Sequence, residues 1–79
     1  MTLHNFNRLN ETEQIEAFWN GIFVGERGDG ALRIICHQVN DFYVEYKILG
    51  GHYINMRTFK NPDRLQPYLS QIDISNLIG

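Results

Sequence analysis

Residues 41–59, DFYVEYKILGGHYINMRTF, decide the fold. Two runs rich in aromatic and β-branched residues flank Gly50-Gly51, which predicts a β-hairpin. Both runs carry large side chains on both faces, so a sheet built on them needs a partner on each side. The register depends on the turn. A two-residue Gly50-Gly51 turn sets Ile48 opposite Tyr53 and Val44 opposite Arg57, mixing apolar and charged residues on one face. A three-residue loop, Leu49-Gly50-Gly51, sets Tyr46 opposite Ile54 and Val44 opposite Met56 on one side. It sets Glu45 opposite Asn55 and Tyr43 opposite Arg57 on the other, with Gly51 supplying the positive φ that such a loop requires. The three-residue register is the expectation, because it leaves one face nearly all apolar.

Working outward toward the N-terminus, Asn40-Asp41 suits a tight connection between a strand over 42–49 and one over 31–39. A glycine-rich turn, Arg27 to Gly30, precedes them and points to a further hairpin whose first arm, from Ile22, is short and interrupted by Gly25. Before it, NETEQIEAFWNG places Ile15, Phe18, Trp19 and Ile22 at the i, i+3, i+4 and i+7 spacing of one helical face. Asn10 can cap this helix, with Glu13 three residues on completing a capping box and Gly21 as terminator, so the helix is predicted over 11–20. On the C-terminal side, NPDRLQPYLSQI carries Leu65, Tyr68, Leu69 and Ile72 at helical spacing. Proline is tolerated only in a first turn, so Pro67 delays that helix to Asp63 or as late as Gln66. Residues 1–9 can fray, and 74–79, with Ile74, Leu77 and Ile78, can either pack on the body or fray.

These elements make a single α+β domain spanning 1–79: an N-terminal helix, an antiparallel meander of three to four strands and a C-terminal helix. Both helices are expected on one face of the sheet, over Ile35, Val39, Phe42, Val44, Ile48, Ile54 and Met56, with Phe18, Trp19, Val44 and Ile54 buried. The opposite face then stays open, carrying Leu32, Ile34, Cys36, Tyr43, Tyr53 and Phe59 among polar residues. Antiparallel sheets often leave one face wet with long polar side chains lying over it. Tyr, Phe and Arg are also the types enriched at binding hot spots, which makes Tyr43, Glu45, Lys47, Tyr53, Asn55, Arg57 and Phe59 the candidate interaction surface.

The segments AFWNGIFVGER, QVNDFYVEYK and RTFKNPDRLQPYLSQID, spread over residues 17–73, resemble a family of small uncharacterised bacterial proteins. That resemblance implies a bacterial cytoplasmic protein and carries no activity or site residue. Composition agrees with an ordinary globular chain, at 43% hydrophobic, 13% aromatic and 20% charged residues. Cys36 is the single cysteine, which rules out an internal disulfide and a cysteine-based zinc site and fits a reducing compartment. The N-terminus lacks a basic start followed by a long apolar run, and no stretch approaches membrane-spanning length. The chain is read as soluble and cytoplasmic, with no membrane partner.

Catalysis finds no support in these residues. Cys36 and His37 are neighbours on a strand and so point to opposite faces, which denies them a nucleophile–base geometry. His4, His37 and His52 lack metal-ligand spacing. GERGDG lacks the Gly-Lys-Ser/Thr ending and following helix of a phosphate loop, and its Arg27-Gly28-Asp29 is better explained by a hairpin turn than by adhesion. No cofactor is expected. With 7 Lys plus Arg against 9 Asp plus Glu, the net charge of −2 disfavours a partner held through many phosphates. Residues 31–60 do carry a local surplus of two positive charges, from Arg33, Lys47, Arg57 and Lys60 against Asp41 and Glu45, beside aromatics able to stack on bases. Helix, three strands and helix is also the element order of the double-stranded-RNA-binding domain, but the second helix lacks that domain's lysine cluster. The expected function is a small non-enzymatic interaction or assembly module, self-association included, using the open sheet face or a sheet edge; nucleic-acid binding through the sheet face is the alternative.

Overall fold

The computed structural model describes residues 1–71, so the expectations for Ile72 and for 74–79 lie outside the described residues. Two short helices, α1 (Leu3–Asn7) and α2 (Glu11–Trp19), precede four strands, β1 (Ile22–Asp29), β2 (Leu32–Val39), β3 (Phe42–Leu49) and β4 (His52–Phe59). A 3-10 helical segment, Pro62–Gln71, follows. The strands form an antiparallel meander in the order β1-β2-β3-β4, so the α+β class and the meander are as expected. All four strands are eight residues long. The uncertain first arm is therefore a full strand.

Local chemistry explains most of the element boundaries. The Asn10 side chain accepts from the Glu13 backbone N–H at 2.8 Å, and the Glu13 carboxylate accepts from the Asn10 N–H at 3.1 Å, which completes the predicted capping box. The α2 helix ends at Trp19, before Gly21, because the chain there passes tightly under β2. A Cβ on Gly21 would stand 2.6 Å from the Gln38 carbonyl oxygen, closer than real contacts allow. The N-terminal residues pack on the body. Thr2 caps α1 through a 3.1 Å bond from the Asn5 N–H, the Gln14 side chain donates to the Phe6 carbonyl at 3.0 Å, and Phe6 is fully buried.

At the β3–β4 hairpin the expected register is overturned. The turn is the two-residue Gly50-Gly51, with φ of 56° and 84°, as a type I′ turn requires. Leu49 faces His52 and Ile48 faces Tyr53, and then the register shifts to Lys47 opposite Asn55, Tyr46 opposite Met56 and Val44 opposite Thr58. Ile54 is the extra residue of a β-bulge. The bulge resolves the conflict that a uniform two-residue register posed, since it moves Arg57 away from Val44 and sets it opposite Glu45. It also turns Ile54 outward, so that residue is about half exposed rather than buried. A second bulge lies at Val24 in β1, between the pairs Phe23–His37 and Gly25–Cys36. Both bulges sit on edge strands, where an irregular backbone hinders pairing with another sheet.

The sheet has two covered faces. On the first, Phe6 and Phe18 of the two helices pack on Ile35, Val39, Phe42, Val44, Tyr46 and Ile48. On the second, Leu65 and Tyr68 of the C-terminal segment pack on Cys36 and Phe59, flanked by Val24 and Tyr43. The expectation that both helical segments share one face is therefore corrected. Its premise, an apolar stripe 65, 68, 69, 72 at α-helical spacing, fails because the segment winds at three residues per turn. In that geometry residues three apart eclipse each other, so Leu65 and Tyr68 form one buried ridge and Leu69 turns out to solvent. Pro62 begins the segment, with the Asn61 side chain accepting from the Asp63 N–H at 3.0 Å; Pro67 sits inside it without an N–H to donate.

Candidate functional site

The second face is where the predicted interaction residues were gathered, and the C-terminal segment divides them. Phe59 is buried beneath it, and Tyr43, half-buried, stacks on Phe59 with ring centroids 5.4 Å apart. Glu45 is buried as well, at 5% exposure, in the middle of the sheet. Its carboxylate accepts from the Tyr68 hydroxyl at 2.5 Å and lies 3.6 Å from the Arg27 guanidinium, which itself sits 5.6 Å over the Tyr68 ring. A buried carboxylate is tolerated only with such partners. Burial and then the hydrogen bond to Glu45 push the Tyr68 phenol well above its ordinary range, so it stays a neutral donor.

Tyr53 is on the other side of the sheet altogether. The two-residue Gly50-Gly51 turn pairs it with Ile48 and so places it on the first face, where its hydroxyl accepts from the Trp19 indole N–H at 2.8 Å and its ring meets Tyr46 edge-on. Lys47, Asn55 and Arg57 remain on the part of the second face beyond the C-terminal segment, Lys47 half-buried and the other two exposed. Of the seven predicted residues, these three stay together on an open surface.

Next to them lies a groove that sequence reasoning missed. It has a volume of about 330 Å³ and runs between the sheet and the C-terminal segment, lined by Arg27 from β1, Glu45 from β3, Arg57 and Phe59 from β4, and Asp63 and Arg64 from the segment. Arg27 and Arg64 carry no common spacing with Arg57. Only strand pairing and the fold-over of residues 62–71 bring the three guanidiniums to one place.

A second unpredicted surface is on the first face, at the end of α2. His37 is buried there at 5% exposure, and its Nδ1–H donates to the Phe18 carbonyl at 2.7 Å; a carbonyl can only accept, so that nitrogen carries the proton. One side of the imidazole stacks on Phe18 at 4.2 Å, while Trp19 and Phe23 meet it edge-on at 5.3 and 5.8 Å. Trp19 and Phe23 are thus ordered against a buried ring and yet 46% and 59% exposed. The expectation that Trp19 is buried is corrected here, since α2 stops at that residue and leaves no neighbouring turn to cover it.

The residues that could carry chemistry have structural occupations. Cys36 is fully buried, and burial, with the nearby Glu45 charge second, pushes its thiol up to about 12, far from the thiolate range a nucleophile needs. His37 lies on the opposite face from Cys36, as strand alternation requires. No group of three or more His, Cys, Asp or Glu side chains converges as a metal-binding set among the described residues. No helix among them is long and apolar enough to cross a membrane. No protein-family model matches the chain, and no curated protein or solved structure matches it either.

Proposed function

We propose that the protein is a non-enzymatic protein–protein interaction or assembly module of the cytoplasm, and that its contact surface is the aromatic end of the first face, around Trp19 and Phe23. The observation that carries this reading is the exposure of both rings, 46% and 59%, beside each other over His37. Trp is the residue type most enriched at interface hot spots, and its value is greatest when it is held in place before binding. The bond from the Trp19 indole to Tyr53 supplies that preorganisation. Strand addition at a sheet edge is the less favoured route, because the β1 and β4 edges are each broken by a bulge. Base stacking on the second face has little to work with: of Tyr43, Tyr53 and Phe59, one is buried, one is on the other face and one is half-covered.

The simplest partner is a second copy of the chain. Sedimentation velocity over rising protein concentration is the test. Wild type should gain mass with concentration, and Phe23→Ser should shift the curve toward monomer while keeping a near-native urea midpoint, because the ring it removes is mostly in water. A wild type that sediments as a monomer throughout, or an association that Phe23→Ser leaves unchanged, would overturn the proposal for this surface.

A further inference from the structure

We infer that the groove formed by Arg27, Arg57 and Arg64 is a binding site for a phosphate-class anion, independent of the aromatic surface on the other face. Three guanidiniums from three separate elements line one depression of about 330 Å³, within the roughly 300–1,000 Å³ range of small-molecule sites. The carboxylate at its base, Glu45, is already engaged by the Tyr68 hydroxyl and by Arg27. Arg57 and Arg64, both exposed, form no salt bridge among the described residues, whereas Arg33 is held bidentately by Glu26 and Lys60 pairs with Asp41. The lining charges, three arginines against Glu45 and Asp63, leave a local excess of one positive charge in a chain whose net charge is −2. Arg57 and Arg64, unpaired among the described residues, line the same groove as Arg27, and an anion bound there offsets the repulsion among the three positive charges. The guanidinium fork matches phosphate oxygens bidentately.

Such a phosphate can be free or can belong to a nucleotide ester, and the two sources present the same oxygens. The test follows the arginine Nε–Hε resonances of the full chain by NMR during titration with pyrophosphate, in parallel with a short single-stranded RNA, at constant ionic strength. Pyrophosphate should shift Arg57 and Arg64 saturably while leaving the paired Arg33 in place. An R57Q/R64Q double variant, exposed at both positions and therefore still folded, should weaken binding by about tenfold or more, the scale of a lost charged hydrogen bond. RNA binding tighter than pyrophosphate through the same two resonances assigns the site to phosphate esters; the reverse order assigns it to the free anion. Shifts spread evenly over Arg8, Arg33, Arg57 and Arg64, no saturable shift with either ligand, or equal affinity in the double variant would overturn the inference.

Discussion

The two faces of this sheet are closed by different means. The first is mainly apolar: two α-helices press Phe6 and Phe18 onto a platform of aliphatic and aromatic side chains. The second holds a small cluster around Cys36 and Phe59, with a buried carboxylate, a phenol and an arginine in series, closed by a segment wound at three residues per turn. A pattern of apolar residues marks a face as buried but does not say what buries it. The first face derives its stability from area and close packing, and the second from the completeness of a polar network.

The largest test sets neighbours on the first face against each other. Phe18→Ala, at a fully buried ring, should cost about 3–5 kcal/mol, a large share of the roughly 5–15 kcal/mol that domains possess. Trp19→Ala, one residue on and half exposed, should cost well under half as much in the same urea melts. Equal losses would mean that Trp19 belongs to the core after all.

On the second face, Tyr68→Phe removes only the hydroxyl that donates to Glu45 and should cost about 1–3 kcal/mol, the penalty of an underpaired buried acceptor. A double-mutant cycle with Glu45→Gln should show coupling between the two sites. Additive losses would dissolve the network on which the contrast between the faces rests.

Alkali should then find the second face first. The Cys36 thiol is raised from 9.0 to about 12 in the folded state, so the folded protein holds its proton where the unfolded chain has lost it. Stability is therefore full below pH 9.0 and falls as pH rises toward 12. At about 1.4 kcal/mol per pH unit, roughly 1.4 kcal/mol is lost by pH 10 relative to pH 8. Tyr46 and Tyr68 are also raised, from 10.0, and begin to add to the loss as pH reaches 10. Cys36→Ala should flatten the change in urea midpoint between pH 8 and pH 10; an undiminished slope would place the titrating group elsewhere.

The smallest effect belongs to neither core. Arg33 holds Glu26 through two bonds, at 3.0 and 2.8 Å, and this hydrogen bonding draws the Glu26 carboxyl below its ordinary range. Water screens an exposed pair almost completely, so Arg33→Ala should leave the urea midpoint nearly unmoved.

Much of this molecule is written locally. The capping box at Asn10, the Asn40-Asp41 turn with Asn40 at a φ of 55° and the alternation along β2 and β3 each depend on residues within a few positions of one another. Short-range hydrogen bonding and backbone sterics are enough to specify them, and all are legible in the sequence. The candidate sites were less so. Arg57 was read onto the second face correctly, but Arg27 and Arg64 join it only through strand pairing and fold-over, and Trp19 was assigned to the core because helical spacing does not reveal where the helix stops.

What only the tertiary structure decided follows from the same limit. Whether β3 and β4 slip past each other depends on Val44, Arg57 and Glu45 together, and the bulge at Ile54 is the outcome of that competition, setting Asn55 and Arg57 on the second face while Tyr53 stays on the first. Which face the C-terminal segment covers turns on Tyr68 meeting Glu45, twenty-three residues away in sequence. A periodic stripe records that one side of a segment is apolar, in either of two windings. The covered face holds a buried carboxylate that requires a donor, and no local pattern in the sequence contains that requirement.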